Sequence, residues 1–164
     1  MIILGIDPGS SRIGYGVIEK KPGNIRLIKA GVIEIKTKKT SLKYATLASE
    51  LENLLKKCRP DIAAIEKLYF SKNQKTAMEV AGAIGVIMYV ISKSGVPLRE
   101  YAPQQIKKAI TGFGSADKAT VAKMSCALLN IKDIPGPDDV SDAVAIAITA
   151  AHHNQTLTPP LKST

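Results

Sequence analysis

Only two cysteines occur in the chain, Cys58 and Cys126, and neither has a second thiol or a histidine at a metal-binding spacing. That scarcity excludes a disulfide framework and a zinc cluster, and the two thiols read as small buried hydrophobes in a reducing compartment. No apolar run is long enough to cross a bilayer, since the longest, Val80 to Ile91, falls well short of the ~20 residues required. The N-terminus carries no basic leader and meets an acid at Asp7, so it is not a secretory signal. Nor is there a Ser/His/Asp or Cys/His arrangement: the two histidines, His152 and His153, are adjacent near the C-terminus, where solvation is expected. Acids are the scarcer charge, 14 against 23 lysines and arginines, for a formal net charge of +9. Such a balance suits a polyanion such as nucleic acid, and because no cationic amphipathic helix stands out, a membrane surface is the weaker partner. A cytoplasmic protein is expected.

The first sixteen residues, MIILGIDPGSSRIGYG, organise the rest. Ile2, Ile3, Leu4 and Ile6 read as a strand buried on both faces, with Asp7 at its carboxyl end. Pro8, Gly9, Ser10 and Ser11 supply turn chemistry, and Gly14 to Ile18 resume an extended pattern. Taken alone, Asp7 would cap that turn. Ile25 to Ile35 alternates apolar and polar residues around a break at Gly31, completing three antiparallel strands. Lys36, Lys38 and Lys39 follow, a solvated loop or a phosphate contact. Leu47, Leu51, Leu54 and Leu55 then share one helical face, and Arg59-Pro60 ends the helix.

Ile62 to Ile65 is a short continuous apolar run, the pattern of a central parallel strand, and it ends in Glu66. Asn73 to Lys93 is a long helix whose two apolar stripes exceed what one sheet can cover. Gly82 and Gly85 inside it cost roughly 1 kcal/mol each relative to alanine, which suggests close packing against another backbone and a homodimer interface. Val96 to Tyr101 is a further strand, and a helix from Pro103 to Ile110 carries Lys107 and Lys108. Ser115 is positioned to cap a helix running to Leu129, with Lys118 in its first turn. A lysine there opposes the helix dipole, and a docked phosphate would explain it. The Pro135-Gly136-Pro137 break precedes a last helix from Asp138 to about His153. Residues 1–153 are expected to form one domain and 154–164 a frayed tail.

Asp138 and Asp139 in a first helical turn are ordinary dipole partners. Asp142 is different, because it lies one turn in, on the face shared by Asp139, Ala143 and Ile146 that should meet the sheet. Asp7, Glu66, Asp139 and Asp142 would thus converge and repel one another. Divalent cations relieve such a cluster, and all-oxygen ligands select Mg²⁺ first and Mn²⁺ second. Two ions per subunit, ~3.5–4 Å apart, suit in-line phosphoryl displacement. With a basic surface, the pattern points to a metal-dependent nuclease.

Four stretches, ILGIDPGSSRIGYGVI, IAAIEKLYFSKN, GFGSADK and DDVSDAVAIAIT, resemble in order and spacing the RuvC Holliday junction resolvases of the ribonuclease H-like, or retroviral integrase, superfamily. The resemblance covers about residues 1–153. It implies an α/β ribonuclease H-like fold with a mixed five-stranded sheet flanked by helices. It further implies an acidic tetrad of Asp7, Glu66, Asp139 and Asp142, DNA contacts by Lys107 and Lys118, and an aromatic, Tyr69 or its neighbour Phe70, stacking at the junction centre; Arg12 is a further candidate DNA contact. The expected activity is Mg²⁺-dependent cleavage of four-way DNA junctions by a homodimer, in recombination and repair, alongside a branch-migration motor complex. The chain departs from the family at Ala81-Gly82-Ala83-Ile84-Gly85, where many members read Gly-Gln-Ala-Arg-Gly, so contacts made by those polar groups do not carry over.

Three other readings stand beside it. A ribonuclease H-like nuclease could act on structured RNA or flaps, and a non-catalytic junction-binding protein would need no inward acids. An actin-like ATPase also opens with an acid after a strand and a glycine turn, but it predicts a second phosphate loop and a second domain for which 164 residues leave no room.

Overall fold

In the computed structural model, which describes residues 1–37, 39–67 and 74–153, the chain opens with strand β1 (Ile2–Asp7), β2 (Arg12–Lys21) and β3 (Asn24–Glu34). Helix α1 (Thr40–Cys58) leads to β4 (Ile62–Glu66), α2 (Gln74–Lys93) and β5 (Leu98–Tyr101). Helices α3 (Pro103–Thr111), α4 (Lys118–Leu129) and α5 (Asp138–His153) complete it. The five strands form one sheet in the order β3-β2-β1-β4-β5. β1 pairs antiparallel with β2, and β2 with β3, whereas β1–β4 and β4–β5 are parallel. This is the mixed five-stranded α/β sheet expected from the sequence.

The parallel pairing fixes the geometry of one edge. Ile6 lies opposite Ile65, so Asp7 and Glu66, the next residue of each strand, leave the sheet side by side. β2 begins at that same edge, and its last pairing with β1 sets Gly14 opposite Asp7. Each strand that is apolar on both faces is covered twice. Leu47, Leu51, Leu54 and Leu55 of α1 and Ile87, Val90 and Ile91 of α2 pack on one face. α5 lies on the other, and α3 and α4 cover its back through Ile106, Ile110, Val121 and Leu129. Consequently α5 is buried on every side from Ala143 to Ala151, where the sequence pattern implied a single sheet-facing stripe.

Several local expectations are revised. Gly31 does not break β3, because it pairs with Tyr15 in a continuous ladder; the irregularity lies at Val17/Ile18, where Ile28 bulges out between Lys29 and Leu27. The N-cap of α4 is Asp117, not Ser115: its Oδ1 accepts the Thr120 amide at 2.7 Å. The Thr120 amide, helped by the Thr120 hydroxyl, holds the Asp117 carboxyl below its usual range, because both donors favour the charged form. Asp138 is the first residue of α5, and the Pro137 carbonyl accepts the Val140 amide at 2.9 Å. His152 and His153 are exposed as expected, yet both are held. His152 Nδ1 lies 3.2 Å from the Ala109 carbonyl, and the His153 ring stacks on Tyr101 at 5.3 Å. Gly82 receives the Tyr44 ring rather than a backbone, and nothing stands within 4 Å of where a Gly85 Cβ would be. In α2 the expected apolar stripe of Ala77, Ala81, Ile84, Met88 and Ile91 splits, with Ile91 buried and Ala81 exposed. Tyr69, Phe70, Asn73, Lys38 and the 154–164 tail lie outside the described residues.

Candidate active site

Glycines set how closely α5 approaches the sheet. An added Cβ on Gly14 would stand 1.9 Å from the Asp139 carbonyl oxygen, and one on Gly5 would stand 2.1 Å from the Ala143 carbonyl. Only hydrogen fits at either place. The N-terminal turn of α5 is therefore pressed directly onto β1 and β2 beside Asp7, which brings acids 130 residues apart in sequence to one edge. Gly5, Gly14 and Gly16 are functional positions that the sequence reading passed over, although Gly-x-Gly within a buried strand is itself a signal of close backbone approach.

The result is a cleft of about 190 Å³ lined by Asp7, Glu66 and Asp142, by Lys107 and Lys118, and on its apolar wall by Ile106, Val121 and Ile146. Burial is the main reason that the Asp7 carboxyl is pushed up to about 7, and the charges of Asp142, Glu66 and Asp139 push it the same way. Burial and Asp142 likewise raise Glu66, against the lowering influence of Lys118 and Lys107. Asp7 therefore senses the other three acids of the expected tetrad, while the charge of the adjacent Asp138 bears on Lys118.

Two cations hold the cluster together. Lys118 Nζ donates to Asp142 Oδ2 at 2.7 Å, and this bond is the foremost cause that raises the Lys118 ammonium above its usual range. The sequence left Lys118 facing an opposing helix dipole with a phosphate as the remedy; in the structure the Asp142 carboxylate fills that role. Arg12 Nη2 stands 3.0 Å from Asp139 Oδ2, an ion-pair approach that leaves this sealed oxygen without a formed hydrogen bond. Among the described residues, no three carboxylate, histidine or cysteine side chains are gathered closely enough to grip one ion, and two of the four acids instead face Lys118 and Arg12. The donor set nevertheless suits a hard cation: the side-chain donors are all carboxylate oxygens, and the Asp7 carboxyl is raised by burial and by the charges of three neighbouring acids, a repulsion that a divalent ion would relieve.

A stability prediction follows directly. Because Asp7 in the folded chain keeps its proton up to about pH 7 while an unfolded aspartate loses it near ~4, the native state binds more protons between those values. Folding stability must then fall as pH rises through that window. In chelator, Asp7→Asn is expected to be as stable as the parent near pH 4 and more stable by a few kcal/mol near pH 7.5. Thermal unfolding of both proteins across the window checks it, and a difference that does not grow with pH would contradict the burial and repulsion ascribed to Asp7.

The sheet order, the acid-lined edge and the helix that closes it define a ribonuclease H-like nuclease fold. Residues 3–150 match the family described as crossover junction endodeoxyribonuclease RuvC, and the chain belongs to that family. It is 44% identical over 90% of both chains to the crossover junction endodeoxyribonuclease RuvC of Halothermothrix orenii. Among solved structures, Thermus thermophilus RuvC is 32% identical with a TM-score of 0.85, covering 93% of this chain and 95% of that one. T. thermophilus RuvC in complex with a Holliday junction substrate is 28% identical with a TM-score of 0.84, over 93% and 94%. No described helix is long and apolar enough to cross a membrane.

Proposed function

We propose that this chain resolves four-way DNA junctions by metal-dependent phosphodiester hydrolysis, with residues 1–153 as its nuclease domain and Asp7, Glu66, Asp139 and Asp142 as the catalytic acids. The observation that carries the reading is the convergence of two strand-end acids and Asp142 in a cleft that also presents Lys107 and Lys118. A basic protein, at +9, has no general reason to bury carboxylates where a phosphate-bearing substrate would sit. Hydrolysis gives it one. Two divalent cations, Mg²⁺ with Mn²⁺ as substitute, would be held by the four acids and would supply activation of water and stabilisation of the leaving 3′ oxygen. The products are a 5′ phosphate and a 3′ hydroxyl.

The chain's own residues do the rest. Lys118, already charged and aimed into the cleft, neutralises the negative charge that develops on the scissile phosphate, and Lys107 backs it from α3. Exposed Arg12, on the far side of Asp139, binds the flanking phosphate. Tyr69 or Phe70, in the segment after Glu66, is the candidate for stacking at the junction centre.

The same reading includes a homodimer in the cytoplasm, working with a branch-migration motor. Support for the dimer comes from α2, where Met78, Ala81, Gly85 and Tyr89 follow one helical face. Met78 is 76% and Tyr89 65% exposed, and the open space over Gly85 permits close backbone approach. Gly85→Leu is expected to shift the protein to monomer at micromolar concentration in sedimentation velocity, and to convert paired cuts on a junction into single nicks. A parent protein that stays monomeric with and without DNA would refute the dimer.

The overall reading is tested by incubating labelled four-way junction, linear duplex, flap and structured RNA with the protein in Mg²⁺ or EDTA. Junction cleavage confined to Mg²⁺, with junction binding kept in EDTA, is the expected result, because contacts to phosphates need no metal. Preferential cutting of flaps or RNA would move the chain to another nuclease specificity, and binding without cutting would make it a junction-binding protein.

A further inference from the structure

Lysines at the end of α1 near Cys58 and lysines at its start call for different explanations. Lys56 and Lys57 lie in the last turn of α1, where cations complement the helix dipole. Lys36 and Lys39 lie just before its first turn, which holds no acid, and there the dipole disfavours them. Lys36 is 88% exposed, and its nearest acid, Glu34, is itself exposed and 4.0 Å away, a pair that contributes little. Lys43 is accounted for, because it bonds Glu79 at 2.9 Å with its side chain mostly covered.

The two unexplained lysines are placed on the edge that carries the acids. β3 ends at Glu34, opposite Arg12 at the start of β2. The Ile35 amide donates to the Ser11 carbonyl at 2.8 Å, which ties the segment bearing Lys36 to the turn that follows Asp7. Beside it lies a groove of about 420 Å³ lined by Ser11, Lys36, Thr37 and Thr40, by Ile35 and Tyr44, and by the Lys43–Glu79 ion pair, in which the one carboxylate is already neutralised. Along the edge the order is therefore Lys107 and Lys118, the acids, Arg12, then Ser11, Lys36, Thr37 and Lys39. Two strand spacings, ~10 Å, separate β1 from β3. A DNA strand presents a phosphate every ~3.4 Å of helix axis, so the groove falls about three nucleotides from a bond cut at Asp7.

We propose that Ser11, Lys36, Thr37, Lys39 and Thr40 form a second phosphate-holding site that grips the backbone of the duplex arm leaving the cleft on the β3 side. The proposal rests on the junction-cleavage reading for its direction. Duplex DNA fits the strip because the polar side chains beside the groove, outside the Lys43–Glu79 pair, are ammonium and hydroxyl donors, which read backbone and not bases. Lys36 and Lys39 supply affinity and salt dependence; the hydroxyls and the tethered turn set where the backbone lies.

Binding is measured in EDTA on four-way junctions with arms of equal long length, as a function of salt. Lys36→Gln/Lys39→Gln is expected to reduce the slope of log K against log salt by about two, since each phosphate contact contributes ~0.9. Methylphosphonate substitution about three nucleotides from the cut should weaken binding by the parent protein and weaken binding by the double variant less. Lys56→Gln/Lys57→Gln, the same charge change at the other end of α1, should leave the slope unaltered. An unchanged slope in the first variant, or an equal drop in the second, overturns the strip. If the parent does not prefer junctions over duplex, the junction reading fails, while the slope comparison on either DNA still decides the strip.

Discussion

Asp7→Asn is expected to abolish junction cleavage, by several orders of magnitude in single-turnover rate, while junction affinity in EDTA is retained or increased. The substitution keeps the side-chain shape and removes a carboxylate that is already costly to ionise, because burial and three neighbouring acids hold its proton to about pH 7. A phosphate brought to this cleft meets fewer negative charges in the variant, so binding cannot suffer from electrostatics. Cation binding does suffer, since the asparagine offers no charge to an ion that four acids would otherwise share. Loss of binding together with loss of fold would make Asp7 a structural turn residue and remove it from the chemistry. Retained cleavage would be equally damaging.

Gly14→Ala carries the other large effect, and it operates through the backbone. A methyl group at Gly14 would stand 1.9 Å from the carbonyl oxygen of Asp139 and 3.1 Å from its Cβ, and neither the β2 ladder nor the buried helix has slack to give. Overpacking of this kind typically costs ~1–3 kcal/mol and more when backbone must move. Whatever relaxation occurs lifts the first turn of α5 off the sheet and carries Asp139 and Asp142 with it. Cleavage should fall by at least 100-fold even in preparations that remain folded by circular dichroism. Gly23→Ala is the control: nothing lies within 4 Å of its added Cβ, though its φ of 72° brings some strain, and it should cost stability without this loss of rate. Normal activity in Gly14→Ala would mean that the close approach of α5 does not position the acids.

Much of this was legible in the residues themselves. Apolar runs ending in an acid at Asp7 and Glu66 announce parallel neighbours with aligned carboxyl ends, and the leucine spacing of α1 announces its buried face. What sequence periodicity could not show is depth. The run from Ala143 to Ala151 reads as one stripe because alanine satisfies a helix pattern whether one face or all faces are covered; only the placement of α3 and α4 behind α5 decides. The cap of α4 was misread for a related reason, since Ser115 and Asp117 are both good caps and the Gly114 turn allows either. The state of the site was also hidden. Nothing in the sequence says that Lys118 and Arg12 neutralise Asp142 and Asp139, because those partners come from α4 and β2 and meet only through the tertiary fold.

In the proposed site one register of α5 presents Asp139 and Asp142 to Asp7 and leaves Asp138 outside. Helical spacing alone permits either neighbour, as residues three and four before Asp142 both approach it. In the structure Asp139 is half-buried and its charge raises the Asp7 carboxyl, whereas Asp138 is exposed and its charge bears on Lys118. The decisive measurement is the single-turnover cleavage rate of a four-way junction in Mg²⁺ by Asp138→Asn, Asp139→Asn and Asp142→Asn at matched junction occupancy. Asp139→Asn and Asp142→Asn should each be slower by orders of magnitude and Asp138→Asn close to the parent, whereas an inactive Asp138→Asn beside a fully active Asp139→Asn would contradict the site.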